Sequence, residues 1–201
     1  SWRCSRNDES LDVMAGTSTW RVRARRIDLA HALEQIDATD CDGVTTTAFL
    51  DLVSAAWLDR LGAWLARSKL PLLATLSVDG RRLWRPALPA DAHLLAAFQR
   101  HQTGDKGFGP ALGGTAVDAL AQRLAAQAYD VKTIRSDWQV GAADRDLLQQ
   151  MVAESAAVAT ETEPAHAADF AAWSATRSAQ IAAGALALAV GHLDLLAVPT
   201  R

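Results

Sequence analysis

From Gly43 onward the chain alternates two hydrophobic periods, and this constrains the fold more than any other feature. Short apolar or β-branched runs occupy residues 43–47, 70–78, 129–134 and 186–198. Between them, apolar residues recur every three or four positions. Leu50, Val53, Trp57, Leu58, Leu61 and Leu65 make one such stripe over 49–67. Leu94, Leu95 and Phe98 mark a second, Leu120 and Leu124 a third, Leu147, Leu148, Met151 and Val152 a fourth, and Phe170, Trp173 and Ile181 a fifth. A period of two suits strands and a period of 3.6 suits amphipathic helices. Strands alternating with helices predict an open α/β sheet with helices on both faces.

Punctuation refines this reading. Asp28 precedes Leu29, Leu33 and Ile36 and is placed to cap a short helix. Asp79-Gly80 predicts a hairpin turn with a return strand over 81–85. A polar, glycine-rich stretch at 101–114 interrupts the helix that starts at Asp91, and Thr115 caps the next one. Gly184 ends the last helix, and Gly191 is placed to bend the last strand. Residues 20–27, WRVRARRI, alternate arginine with small or apolar residues, as in a short strand with a charged face that blunts a sheet edge. No aromatic platform accompanies these arginines, so nucleic acid is not the expected partner.

Half of the 201 residues are hydrophobic, enough for a buried core, and the net charge of −3 gives no general attraction to nucleic acid or anionic membrane. Cys4 and Cys41 lie outside any CxxC pair and away from histidines at metal-ligand spacing. They read as free thiols of a reducing cytoplasm, and no metal site is expected. The apolar run at 181–190 is too short to span a bilayer.

Residues 42–66, DGVTTTAFLDLVSAAWLDRLGAWLA, resemble the fourth strand and following helix of class I S-adenosylmethionine-dependent methyltransferases. HQTGDKGFGPALG, from His101, and the ending GHLDLLAV also resemble a bacterial group of that family. The resemblance implies the family's strand order, 3-2-1-4-5-7-6, with strand 7 antiparallel. The segments at 21–27, 43–47, 70–78, 129–134 and 186–198 would then be strands 3, 4, 5, 6 and 7 of an incomplete Rossmann-like sheet. It implies S-adenosyl-L-methionine as cofactor and a small molecule as substrate. Asp28 and Leu29 fall where the family contacts adenine, and Thr46 and Thr47 where strand 4 opens beneath the methionine moiety. His101 would be a base, and Gln102, Lys106 and Phe108 would belong to a substrate-covering loop.

Two departures qualify the resemblance. No glycine-rich strand-loop-helix precedes Trp20, and Arg6 occupies the position of the ribose-binding carboxylate, with Asp8 as the nearby substitute. Residues 1–19 are therefore expected to be a poorly packed remnant of the strand 2 region, and 20–201 the C-terminal part of a truncated methyltransferase domain. The alternative is a non-catalytic module that kept the scaffold and lost the cofactor site. Gly107, Gly109 and Gly113 do not form a nucleotide loop, because no buried strand precedes them. His192 and Asp194, two apart in the last strand, share a side and read as a structural pair. His31, His93 and His166 have no converging partners in the sequence and read as surface residues.

Overall fold

The structure is a computed structural model describing residues 2–6 and 10–200. The chain divides into two compact units, Ser1–Gln35 and Ile36–Arg201, so the division falls at Gln35 and not at Trp20.

In the first unit, β1 (Trp2–Arg6), β2 (Leu11–Ala15) and β3 (Ser18–Val22) form an antiparallel meander in that order. Asp12 stands opposite Arg21 in the β2–β3 register, and the Arg21 guanidinium donates to both carboxylate oxygens at 2.9 and 3.1 Å. This corrects the expected placement of 21–27 as a strand of the main sheet. Only Arg21 and Val22 of that run are in a strand, and their partner is β2. A two-residue hairpin loop at Gly16-Thr17 captures Ser18–Val22 locally, and Arg23–Ile27 leave the strand conformation. Asp28 caps α1 (Leu29–Ala32), accepting from Ala30 N at 3.0 Å, as the sequence predicts.

The second unit holds β4 (Val44–Thr47), α2 (Ala55–Ser68), β5 (Leu72–Arg85), α3 (Asp91–Gln102), α4 (Ala116–Ala125), β6 (Tyr129–Arg135), β7 (Trp138–Val140), α5 (Arg145–Thr162), α6 (Ala167–Ala182) and β8 (Ala187–Pro199). It is an α/β fold with a mixed five-stranded sheet. The order is β4-β5-β8-β6, with β7 also paired to β8. β4 and β5 are parallel, while β8 runs antiparallel to β5, β6 and β7.

Burial along β8 changes phase. Leu188, Val190 and His192 are buried in its first half, and Leu195 and Ala197 in its second. Because side chains alternate between faces, the two sets lie on opposite sides of the sheet. The first half joins a core with Trp84, Leu94, Leu148, Phe170 and Trp173, contributed by β5, α3, α5 and α6. α4 packs on β6 and on β8, and α2 packs on α4. The buried residues of these two helices include Leu58, Leu61, Leu65, Leu120 and Leu124. The opposite face of the second half exposes Leu73, which pairs with Leu196, and also Val198.

Three local expectations change. α2 starts at Ala55, not at Phe49. Ser54 is its N-cap, accepting from Trp57 N at 3.2 Å, and Leu50–Leu52 form a separate 3-10 turn. α3 continues through His101 and Gln102 to its end. Asp79-Gly80 is not a hairpin turn. β5 runs through it, because β8 is long enough to pair with both sides, and the surplus residues are absorbed as bulges. One bulge lies between Ala74 and Ser77, the other between Val78 and Arg82.

Candidate functional site

The first bulge of β5 lies where the parallel pair β4–β5 ends, and the second lies just beyond it. Ligands bind at that edge in open α/β sheets. Thr47 is the last residue of β4, and its hydroxyl lies 2.9 Å from that of Thr75. Two non-glycine residues next to this edge adopt left-handed backbone, Ala48 at φ 50° and Leu76 at φ 54°. Such conformations cost roughly 1–3 kcal/mol each and cluster at functional sites. Ala48 N donates to Thr75 O at 3.0 Å, and Leu76 N donates to the Asp194 carboxylate at 2.8 Å. Asp194 also accepts from the Ser136 hydroxyl at 2.8 Å, so it is a clamp for the bulge, in line with the structural reading of this residue.

Asp51 sits on the 3-10 turn directly after β4. Burial pushes its carboxyl above the ordinary aspartate range, while its own backbone amide and the nearby His192 pull it partly back. His192 is 4 % exposed, and its Nδ1 lies 3.0 Å from Val190 O. A carbonyl only accepts, so Nδ1 is the donor in this contact. The ring rests against Trp138, 5.0 Å between centroids. Asp51 is therefore a carboxylate that holds its proton more tightly than usual, on the turn that follows β4.

The second bulge is closed by charge. Arg81 donates to Asp137 through two nitrogens at 3.0 and 2.7 Å and to Asp79 through Nε at 2.7 Å. Hydrogen bonding to Arg81 holds the Asp137 carboxyl below its usual range. Gly80, at φ 84°, supplies the backbone that a side chain would resist, and Asp79 accepts from Arg81 N at 3.0 Å. A Cβ on Gly191 would lie 2.0 Å from Asp79 Oδ1, so the glycine makes room for this carboxylate.

The residues nominated from the sequence are dispersed. Thr46 and Thr47 stand at the end of β4. The loop after α3 is anchored at the same edge. Phe108 packs edge-on against Phe49 and Trp57, at 5.3 and 5.7 Å, and Leu112 N donates to Val53 O at 3.0 Å. Phe108 therefore fastens the loop. Asp105 shapes its tip by accepting from Gly107 N and Gly109 N. Lys106 is exposed, and Gln102 lies in the last turn of α3 beside Gly113. His101 is also in that last turn, with Nε2 3.8 Å from the Glu161 carboxylate of α5. Asp28 and Leu29 belong to the first unit, where the Asp28 carboxylate engages Ala30 N and the His31 ring. Asp8 lies outside the described residues.

Asp51 on the turn after β4, and the Arg81–Asp137 pair at the second bulge, were not singled out from the sequence. The available signal was Asp51 itself, the one charged residue in the apolar run FLDLV. No protein-family model matches the chain, and no curated protein matches it either. Among the described residues, no helix is long and apolar enough to cross a membrane.

Proposed function

We propose that the chain carries the second half of an S-adenosylmethionine-dependent methyltransferase domain that acts on a small molecule. The observation that carries this reading is the strand order. β4-β5-β8-β6, with β4 and β5 parallel and β8 antiparallel between its neighbours, corresponds to order 4-5-7-6 in that family. Two further observations support it. Among the described residues β4 is paired along one edge only, where a further parallel strand would fit. The face bearing Leu73, Leu196 and Val198 is apolar and uncovered, as expected where helices of another half would pack.

Methyl transfer from a sulfonium needs little more than alignment, exclusion of water and removal of the acceptor's proton. In this reading Thr46 and Thr47 border the cofactor, and the Phe108 loop shields the edge. Asp51, next to His192, takes the acceptor's proton. Asp51 replaces His101 in that role, because His101 is turned toward Glu161.

A second reading, a non-catalytic interaction module, is favoured by the mutual satisfaction of Arg81, Asp79 and Asp137. Calorimetric titration with S-adenosylhomocysteine separates the two. A protein that joins this chain to a glycine-rich strand-loop-helix half of this family should bind it at micromolar concentration. The chain alone should bind several orders of magnitude more weakly, because several hydrogen bonds to a charged ligand, at about 1.5–3 kcal/mol each, would be missing. No binding by either protein would refute the methyltransferase reading, and equal micromolar binding by both would refute the division of the site.

A further inference from the structure

We propose that His93, Glu163 and His166 form a binding site for a zinc-class divalent metal ion that ties α3 to the connection between α5 and α6. The three residues stem from separate places in the chain. His93 lies in the first turn of α3, Glu163 ends α5, and His166 closes the 3-10 turn Pro164–His166. In a 3-10 turn residues three apart eclipse each other, so Glu163 and His166 are presented on one side. His166 N donates to Glu163 O at 3.0 Å and closes that turn. His93 meets them from α3, with its Nε2 2.6 Å from Glu163 Oε2 and its ring edge-on to His166, 4.7 Å between centroids. One ligand atom from each of the three lies within 4.8 Å of the others. Tetrahedral zinc with bonds of about 2.0–2.1 Å spaces its ligands about 3.3 Å apart. Small side-chain rotations bridge that difference, and both histidines are exposed enough to make them.

The surrounding residues support coordination. Asp169 lies 3.1 Å from His166 Nδ1, and by holding that nitrogen it leaves Nε2 with its lone pair for the metal. Arg100 pairs with Glu163 Oε1, so Oε2 is the oxygen turned toward His93. The His93 ring is backed by Phe170 at 5.2 Å. A proton shared between His93 and Glu163 satisfies that pair alone, whereas a metal ion uses His166 as well. Two imidazoles and one carboxylate suit zinc and its neighbours better than magnesium or calcium, which favour oxygen donors. Water would complete the fourth position.

The test is zinc titration of the full chain carrying Cys4→Ser and Cys41→Ser, which removes the exposed thiols as competing ligands. We expect saturation at one equivalent. The melting temperature should rise by roughly 5–10 °C at a hundredfold excess over Kd. His93→Gln and His166→Gln should each weaken binding by at least about tenfold and cut the thermal shift at the same zinc concentration to about half or less. Asp169→Asn, which leaves all three ligands in place, should weaken binding by about tenfold. Circular dichroism of the metal-free variants checks that they fold, and if one histidine variant does not, the other and Asp169→Asn decide. The absence of zinc binding, or binding unchanged in the folded variants, overturns the proposal.

Discussion

Gly191→Ala is the sharpest test of how the second bulge of β5 is built. Gly191 is buried in β8, and an added Cβ would stand 2.0 Å from Asp79 Oδ1, 2.7 Å from its Cγ and 2.8 Å from its Oδ2. Carbon and oxygen do not approach so closely, so the Asp79 carboxylate must move. In moving it gives up Arg81 Nε at 2.7 Å and Arg81 N at 3.0 Å, the two bonds that close the second bulge of β5. Overpacking costs about 1–3 kcal/mol, and each charged hydrogen bond, partly open to solvent here, adds at most about 1.5–3 kcal/mol. The methyl group returns about 0.4–1 kcal/mol by restricting the unfolded chain. The net expectation is a loss of at least about 2 kcal/mol, or at least about 4 °C in melting temperature for a unit of this size. Urea unfolding of Gly191→Ala, Asp79→Ala and the double variant reads this out as a cycle. With Asp79 truncated, the alanine at 191 has room, so its cost should fall by at least about 1 kcal/mol. A Gly191→Ala protein as stable as the parent, or a cost unchanged in the Asp79→Ala background, would refute the argument.

Asp51→Asn should raise stability at neutral pH. The Asp51 carboxyl is raised by burial, so its folded form prefers the proton. Its contribution is most favourable below the ordinary aspartate range and is lost as pH rises through the raised value. The advantage of asparagine should therefore be absent in acid and appear on the neutral side in melting scans across pH. For Asp137 the sign is opposite. Its carboxyl is lowered by Arg81, so the ion pair stabilises above the ordinary aspartate range and fades as pH falls below it, and Asp137→Asn should remove that acid-side loss. Arg177→Ala should be among the most damaging changes, at about 3–5 kcal/mol in urea unfolding. The Arg177 side chain is fully buried, donates to Pro86 O at 2.6 Å and Gln180 Oε1 at 2.8 Å, and pairs with Asp91. Leu120→Ala should cost about 2–5 kcal/mol because Leu120 is wholly buried, whereas Leu196→Ala, at 43 % exposure, should stay within about 1 kcal/mol.

The elements themselves were legible in the sequence because they answer to local physics. The stripe of Trp57, Leu58, Leu61 and Leu65 needs only a 3.6-residue period to become a helix face, and Asp28 needs only the next two residues to act as a cap. The paired order of the strands was not legible in local pattern, since nothing local tells Leu72 that Ala197 is its neighbour. What tertiary structure alone decided lies in that long-range pairing. Asp79-Gly80 has the local chemistry of a hairpin turn, but β8 offers backbone partners to both flanks, and a continuous ladder leaves fewer amides unpaired than a turn and a short return strand would. That choice created the bulges, and the bulges turned Asp194 into a clamp for Leu76, 118 residues away, and gathered Arg81 and Asp137 across 56. His93 and Glu163 meet across 70 residues in the same way. A titratable side chain reads as a surface residue in a one-dimensional string. Its chemistry is set by which charges the fold brings within a few ångströms, and that depends on sheet register and helix packing, which local periodicity does not encode.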